Sequence, residues 1–349
     1  MPVAIDLFSG CGGFSYGFQQ AGFKVLLGID NDGTALKTFS LNHPESTVSN
    51  LDLSKSGSIK QIQDKARGMK VDVVIAGPPC QGFSLTGPRR FDDKRNTLYL
   101  AAIKTVKVLQ PKAFIIENVP GLAALYGGQV KNEIIRRFGA CGFNVACSIL
   151  CAANYGVPQL RRRVFFVGLH KEIGSFEFPP VTHTADDYIT CSDAISDLPT
   201  REKIFGLEEH KYDHTPQSKY QVLMRKGAKV LYNHVATNHK DFVKEVISHV
   251  PEGKNYKALP KGVGDSRKFH TAWTRYHGQK PSPTIDTGHR NHFHYELNRV
   301  PTVRENARLQ SFPDVFRFLG NRTQQNRQVG NAVPPMLGYH IAKKLMEYI

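Results

Sequence analysis

Apolar and polar positions follow two different patterns along this chain, and the change between them divides it. Short runs rich in β-branched residues at 3–8, 24–30, 47–51 and 71–76 are separated by helical spacing at about 14–21, 33–42 and 58–67. The same alternation predicts strands at 113–117, 144–150 and 164–169, and helices at 97–109 and 129–138. Strands and helices of this length in turn imply right-handed βαβ units and a mostly parallel sheet, so the expected class is α/β. After about Pro179 the alternation stops, and 183–300 is irregular and rich in His, Tyr, Lys and Arg. Helical spacing returns at 303–309, and 335–349 reads as a helix that buries Leu337, Ile341 and Leu345. The expected division is 1–182, 183–323 and 324–349.

Length adds that 349 residues suffice for two domains with ample cores. No apolar run approaches a membrane span, and the first residues enter a strand rather than a basic and apolar leader, so a cytoplasmic protein is expected. Six cysteines, at 11, 80, 141, 147, 151 and 191, form no CxxC pair and no metal spacing with the histidines, which fits free thiols in a reducing compartment. The formal charge of +16 points to a polyanionic partner. Residues 211–300 hold sixteen Lys and Arg against seven Asp and Glu, so much of that charge lies in the irregular region. Within it, His289-Arg290-Asn291-His292-Phe293-His294-Tyr295 interleaves donors with aromatics, as a groove-reading loop would.

Two stretches carry candidate chemistry. The run 71–76 stops abruptly at Gly77-Pro78-Pro79, where each proline fixes φ and Pro79 pushes Pro78 toward an extended backbone. Cys80 is therefore presented on a stiff support at a strand's carboxyl end, where ligands sit in open α/β sheets. A buried, inert cysteine is the plain alternative. The second stretch, Ser9-Gly10-Cys11-Gly12-Gly13, joins the first strand to the first helix and brings backbone N–H groups and a helix N-terminus beside a ligand. Asp30, ending the second strand, is placed for ribose hydroxyls, and Asp52, ending the third, for an adenine amino group. The plain alternative for the Gly-rich turn is a tight corner after a strand. The spacing is GxGG rather than GxGxxG, which favours an adenosyl group without a pyrophosphate over a dinucleotide.

Taken together, the motifs resemble those of DNA cytosine-5 methyltransferases of the compact bacterial type, in that family's order and over nearly all of the chain outside 183–300. Asp6-Leu7-Phe8-Ser9-Gly10-Cys11-Gly12-Gly13-Phe14 resembles the cofactor-binding opening, and Gly77-Pro78-Pro79-Cys80-Gln81-Gly82-Phe83-Ser84 the nucleophile motif. Glu117-Asn118-Val119 and Gln159-Leu160-Arg161-Arg162-Arg163 resemble the ENV and QxRxR motifs. Arg304-Glu305-Asn306-Ala307-Arg308-Leu309-Gln310 resembles the motif bracing the recognition region, and Gln328 through Pro335 the closing motif.

The resemblance implies a Rossmann-like S-adenosylmethionine-dependent methyltransferase sheet in 1–182, a smaller target-recognition domain in 183–323, and a return to the catalytic domain in 324–349. It implies S-adenosylmethionine lined by Phe8, Gly10, Gly12, Asp30, Asn31, Asp52, Leu53, Pro79, Leu98, Asn331 and Val333, and no metal. Asn31 departs from the pattern, since an apolar or aromatic residue would be expected against adenine. The chemistry accounts for the rest. C5 of cytosine becomes a nucleophile once a thiolate adds at C6, and with an ordinary pKa of about 8.5 roughly a few per cent of Cys80 is thiolate at pH 7. Glu117 can serve N3 if burial raises its pKa, and Arg161 and Arg163 can stabilise charge at O2. The target must leave the stack of double-stranded DNA, which costs a few kcal/mol. Ser84, Arg89, Arg90 and Arg95 are placed in a closing loop, and Gln159, Thr284 and Arg290 are further expected DNA contacts. Thr284-Ile285 resembles the dipeptide that family members use near the target.

Rival readings are weaker. A tRNA-acting relative would carry a Cys-Phe-Thr signature, a silent homologue would lack part of the set Cys80, Glu117, Arg163 and Asn331, and a redox protein would need a resolving cysteine. A companion restriction endonuclease is left open, and a monomer is the default.

Overall fold

The computed structural model describes residues 1–79, 97–200, 208–263, 273–288 and 291–349. By internal packing they form two units, one of 1–151, 162–180 and 337–349, the other of 152–161 and 181–336.

In the first unit the predicted alternation appears as strands β1 (Val3–Leu7), β2 (Lys24–Asp30), β3 (Thr47–Asn50), β4 (Val73–Ala76), β5 (Ala113–Asn118), β6 (Phe143–Cys151) and β7 (Arg162–His170). Between them lie helices α1 (Gly13–Gln20), α2 (Gly33–Asn42), α3 (Ser58–Lys65), α4 (Thr97–Leu109) and α5 (Gln129–Ala140). The seven strands order as 3-2-1-4-5-7-6. The first five are parallel, and β7 runs antiparallel to both β5 and β6. β4 and β5 are buried along their whole length, which is why they read as continuous apolar runs rather than alternating ones. β4 begins two residues later than the apolar run, because the Asp72 carboxylate accepts the Val3 N–H (2.9 Å) and pairs with Lys112 (3.2 Å). Gly168 of β7 faces Phe114 of β5, and a Cβ there would come within 2.1 Å of the ring, so the sheet closes over that aromatic only with glycine. Phe114 in turn stacks on Phe138 of α5 at 3.9 Å.

The second unit is built of short elements: α6 (Cys191–Ile195), α7 (Lys219–Arg225), α8 (Asp241–Ser248), α9 (Val303–Leu309) and α10 (Arg322–Asn331), with two-residue strands between them. One of its apolar clusters gathers Cys191, Ile195, Leu198, Tyr220, Met224, Leu231, Tyr276, Ile285 and Leu309. Capping boxes start α6 (Thr190 with Asp193), α9 (Thr302 with Glu305) and α10 (Asn321 with Gln324), so polar signals rather than apolar stripes fix these helices. The last helix, α11 (Pro335–Leu345), buries Leu337, Ile341 and Leu345 as expected, and its residues from Leu337 belong to the first unit. Among the described residues no helix is long and apolar enough to cross a membrane, and no group of His, Cys, Asp and Glu could hold a metal.

Candidate active site

β1 lies between β2 and β4, so the sheet changes direction of winding there. Open α/β sheets leave a crevice at the carboxyl ends of the strands at such a point. The loops after β1 and β4 both emerge into it.

In the first loop Phe8 takes φ +61°, rare for a bulky residue, and the chain folds back so that the Ser9 N–H reaches the Ile29 carbonyl (2.9 Å). Gly12, at φ +92°, must be glycine, since a Cβ would stand 2.3 Å from His43 Nε2; a Cβ on Gly10 would meet nothing within 4 Å among the described residues. The turn is thus packed from behind and bare on its outer side. His43 supports it, with Nδ1 2.6 Å from Gln19 Oε1 and Nε2 3.2 Å from the Gly12 carbonyl oxygen. Burial lowers this imidazole to about 4, so the ring is neutral near pH 7.

Asp30 does more than end β2. Its Oδ2 accepts the Gly10 N–H and its Oδ1 the Asp32 N–H, each at 2.8 Å, so the carboxylate first holds the turn. Burial pushes it above the ordinary value, against the pull of these N–H groups. Asp52 accepts the Ser54 N–H (2.9 Å) and hydroxyl (2.6 Å), both at Oδ1, which keeps its carboxyl low. Leu53 lies in the main apolar cluster, and Phe8 and Leu98 border it. Asn31 is exposed at the rim of the same loops.

Asp6 opens the first of the motifs, yet the resemblance gives it no role of its own. It is buried, accepts the Ser15 hydroxyl (2.6 Å), and burial raises it to about 8, with the Ser15 bond opposing and the charge of Asp30 adding. An acid raised this far takes up a proton on folding, so it costs stability progressively as pH rises from about 4 to about 8. Asp6→Asn is therefore expected to melt above the wild type at pH 8, with the gap shrinking toward pH 5. Thermal melts showing a constant gap, or a less stable variant at pH 8, would contradict the assignment. Cys11, by contrast, is a buried thiol pushed up to about 12 and is inert.

At the exit of β4 the Gly77 N–H reaches the Leu7 carbonyl (3.2 Å), and the Asn118 side chain donates to the Pro78 carbonyl (3.0 Å) while accepting the Val119 N–H (2.8 Å). The proline pair is thereby pinned to the end of β5. Glu117, one residue earlier, is buried, and its Oε2 lies 3.6 Å from where a Cβ on Gly77 would stand. Its Oε1 pairs with Arg163 Nε at 2.9 Å. The structure therefore brings together Glu117, Arg163 and the root of the expected nucleophile loop. Pro79 is exposed, whereas Cys80, Ser84, Arg89, Arg90 and Arg95 lie outside the described residues, as does Arg290.

The remaining expected residues belong to the second unit. Arg161 is 1% exposed, and its backbone pairs with Gln159 and Ala152. Thr284 is exposed, with its hydroxyl donating to the Leu160 carbonyl (3.2 Å). Asn331 is exposed at the end of α10, and Val333 is buried. Gln159, expected at DNA, is wholly buried; its side chain accepts the Ile285 N–H (3.2 Å) and donates to Gln310 Oε1 and the Leu309 carbonyl. An amide whose three bonds all lie inside the unit does not meet a ligand in this conformation.

Known proteins bear on this geometry. Residues 3–347 match the family model described as C-5 cytosine-specific DNA methylase. The chain belongs to that family. It is 41% identical to the Type II methyltransferase M1.HphI of Haemophilus parahaemolyticus, over 98% of this chain and 86% of that protein. It is 38% identical to M.DdeI of Desulfomicrobium norvegicum, over 99% and 88%. Among solved structures, a DNA modification methyltransferase encoded within an E. coli prophage superposes with a TM-score of 0.80 at 29% identity, covering 100% of this chain and 99% of that one. The Dnmt2 methyltransferase of S. pombe, at 17% identity and TM-score 0.61 over 99% of both chains, shares the fold. As a member of the family the protein is a DNA cytosine-5 methyltransferase, acts on DNA and takes its methyl group from S-adenosylmethionine. The outer side of Gly10, the acids Asp30 and Asp52 and the apolar rim of Phe8, Leu53 and Leu98 suit a nucleoside whose link to its donor group carries no phosphate.

Proposed function

We propose that the protein methylates cytosine at C5 in a specific duplex sequence by covalent catalysis from Cys80. The observation that carries this reading is the Glu117–Arg163 ion pair beside Gly77, pinned through Asn118 to the proline pair that precedes Cys80. The Cys80 thiolate adds to C6 of a flipped cytosine, and electron density moves onto N3 and O2. Glu117 serves N3 as proton donor or hydrogen-bond partner, with Arg163 holding its Oε1, and Arg163 and Arg161 stabilise charge at O2. Phe8, Gly10, Gly12, Asp30, Asn31, Asp52, Leu53, Pro79, Leu98, Asn331 and Val333 hold S-adenosylmethionine, whose sulfonium supplies an electrophilic methyl group. C5, now an enamine carbon, would take that methyl as the methyl–sulfur bond breaks and the sulfonium leaves as a neutral thioether; loss of the C5 proton then restores the ring and expels the Cys80 thiolate.

The remaining roles rest on the order of the motifs and on the charge of the irregular region. Residues 183–323 carry target recognition, where Thr284 and Arg290 meet DNA, and Ser84, Arg89, Arg90 and Arg95 close over the vacated stack. The Type II relatives are bacterial and support a cytoplasmic enzyme with a cognate restriction endonuclease as its companion; a monomer is the simplest working state.

Bisulfite sequencing of DNA from cells that express the protein identifies the site. A duplex with 5-fluorocytosine at that site then tests the mechanism, because the C5 fluorine cannot leave as a proton does. With S-adenosylmethionine present, a protein–DNA adduct that survives denaturing electrophoresis is expected, with Cys80 as the modified residue. Methylation of ordinary duplex without any trapped adduct would overturn the covalent route.

A further inference from the structure

The fully buried amides of Gln159 and Gln310 are the clearest feature the catalytic reading leaves unused. Ser282 and Pro283 pair in parallel with Gln159 and Leu160, but Pro283 has no N–H, so the ladder stops there. Beyond it the Ile285 N–H is taken by the Gln159 side chain (3.2 Å), which extends the ladder by one bond, while the Thr284 hydroxyl reaches the Leu160 carbonyl (3.2 Å). Gln159 then donates to the Leu309 carbonyl (3.3 Å) and to Gln310 Oε1 (2.5 Å). Gln310 donates in turn to the carbonyls of Val329 (3.1 Å) and Ala332 (2.7 Å). Every amide hydrogen in this chain has an acceptor. Its direction is fixed at both ends, by a backbone N–H at Ile285 and by carbonyls at 329 and 332, so neither amide can turn over without orphaning a buried group. The same two segments also touch at Gly330, where a Cβ would stand 2.3 Å from the Asp286 carbonyl oxygen.

We propose that Gln159 and Gln310 are positioning residues that fix the exposed Thr284 relative to the Val329–Val333 segment, so that DNA affinity and fidelity depend on them. This rests on the reading of Thr284 as a DNA contact and of Asn331 and Val333 as cofactor residues. Truncating Gln159 leaves the Ile285 N–H buried without a partner, and truncating Gln310 strands a Gln159 N–H and the Ala332 carbonyl; in either case the dipeptide relaxes away from its place.

The test uses the full-length enzyme and a duplex carrying the site mapped by bisulfite sequencing. Gln159→Met is expected to raise KM for that duplex at least about ten-fold, with kcat at saturating DNA within about three-fold. It is also expected to increase the relative methylation of duplexes that differ from the site by one base pair. Gln310→Met is expected to do the same and to raise KM for S-adenosylmethionine as well; it reads the chain from its other end should the first variant fold poorly. The double variant should have a KM close to that of the single ones, since both polar partners are then gone. Unchanged KM and fidelity in folded variants, whatever their melting temperatures, would overturn the proposal alone. A wild type that methylates no duplex would overturn the underlying reading with it.

Discussion

Cys80→Ala is expected to abolish methylation, with kcat falling at least about 10⁴-fold, because the nucleophile and the groups around it act as a unit. Without addition at C6 the ring stays aromatic and C5 has no electron pair to offer the methyl group. Glu117 and Arg163, still paired at 2.9 Å, then have no developing charge to stabilise. The loop after β1 lies on a different strand, so S-adenosylmethionine binding should be unaffected. DNA binding should also survive, since phosphate contacts come from basic residues elsewhere and carry most of the affinity. The variant thus separates chemistry from binding. Radiolabelled methyl transfer to the mapped duplex gives the rate, and equilibrium titrations with cofactor and duplex give the binding. Methylation at the wild-type rate would remove Cys80 from the mechanism, and with it the stabilising roles of Glu117, Arg161 and Arg163.

How much of this was legible in the sequence depended on the kind of signal each element carries. β4 and β5 are buried along their whole length, and β1 and β2 over most of theirs, so apolar composition located them, with the shorter and more exposed β3, to within two residues. The reversal of β7 was not legible, because an apolar strand reads the same in either direction and only its pairing with β5 and β6 decides. α10 escaped detection for a different reason: its buried positions include Gln325, Asn326 and Gln328, so it has no apolar stripe to find. α7 and α8, at seven and eight residues, are too short for periodicity to stand out in a basic, irregular region. At the site, motif order delivered Glu117 and Arg163, but the work of Asp30 on the Gly10 and Asp32 N–H groups is a tertiary fact with no sequence signature. The internal partners of Gln159 were not legible, because a polar side chain in a catalytic motif suggests a ligand and only burial reveals a bond within the unit. Asp6 could have been suspected from a carboxylate inside an otherwise apolar strand, which normally has a partner or a raised pKa.

Arg308→Met should destabilise the second unit by about 3 kcal/mol or more, the cost of breaking a buried ion network from one side. α9 buries all seven of its residues, three of them charged. Arg308 is fully buried between two buried carboxylates, with Nη1 2.6 Å from Asp197, Nη2 2.7 Å and Nε 2.9 Å from Asp314, and a further bond from Nη1 to the Ala194 carbonyl (3.0 Å). The substitution keeps much of the side-chain volume, so a cavity contributes little and the loss reports the stranded charges. Asp197 retains Arg225 (2.8 Å), and Asp314 retains the Tyr212 hydroxyl (2.7 Å) and a longer approach from Arg304 (3.8 Å), which holds the cost toward the lower end of the range. A pH dependence accompanies it. Arg308, first among the partners that oppose the effect of burial, keeps the Asp314 carboxyl below its ordinary value. That stability is present above the unfolded carboxylate pKa and is lost as pH falls through the folded one. In Arg308→Met the depression is relieved, so the wild type's advantage should be full near pH 7 and shrink as the solution is acidified below about pH 4. Urea unfolding followed at both pH values measures it; a midpoint unchanged at pH 7, or a gap that widens in acid, would show that the network does not hold this unit together.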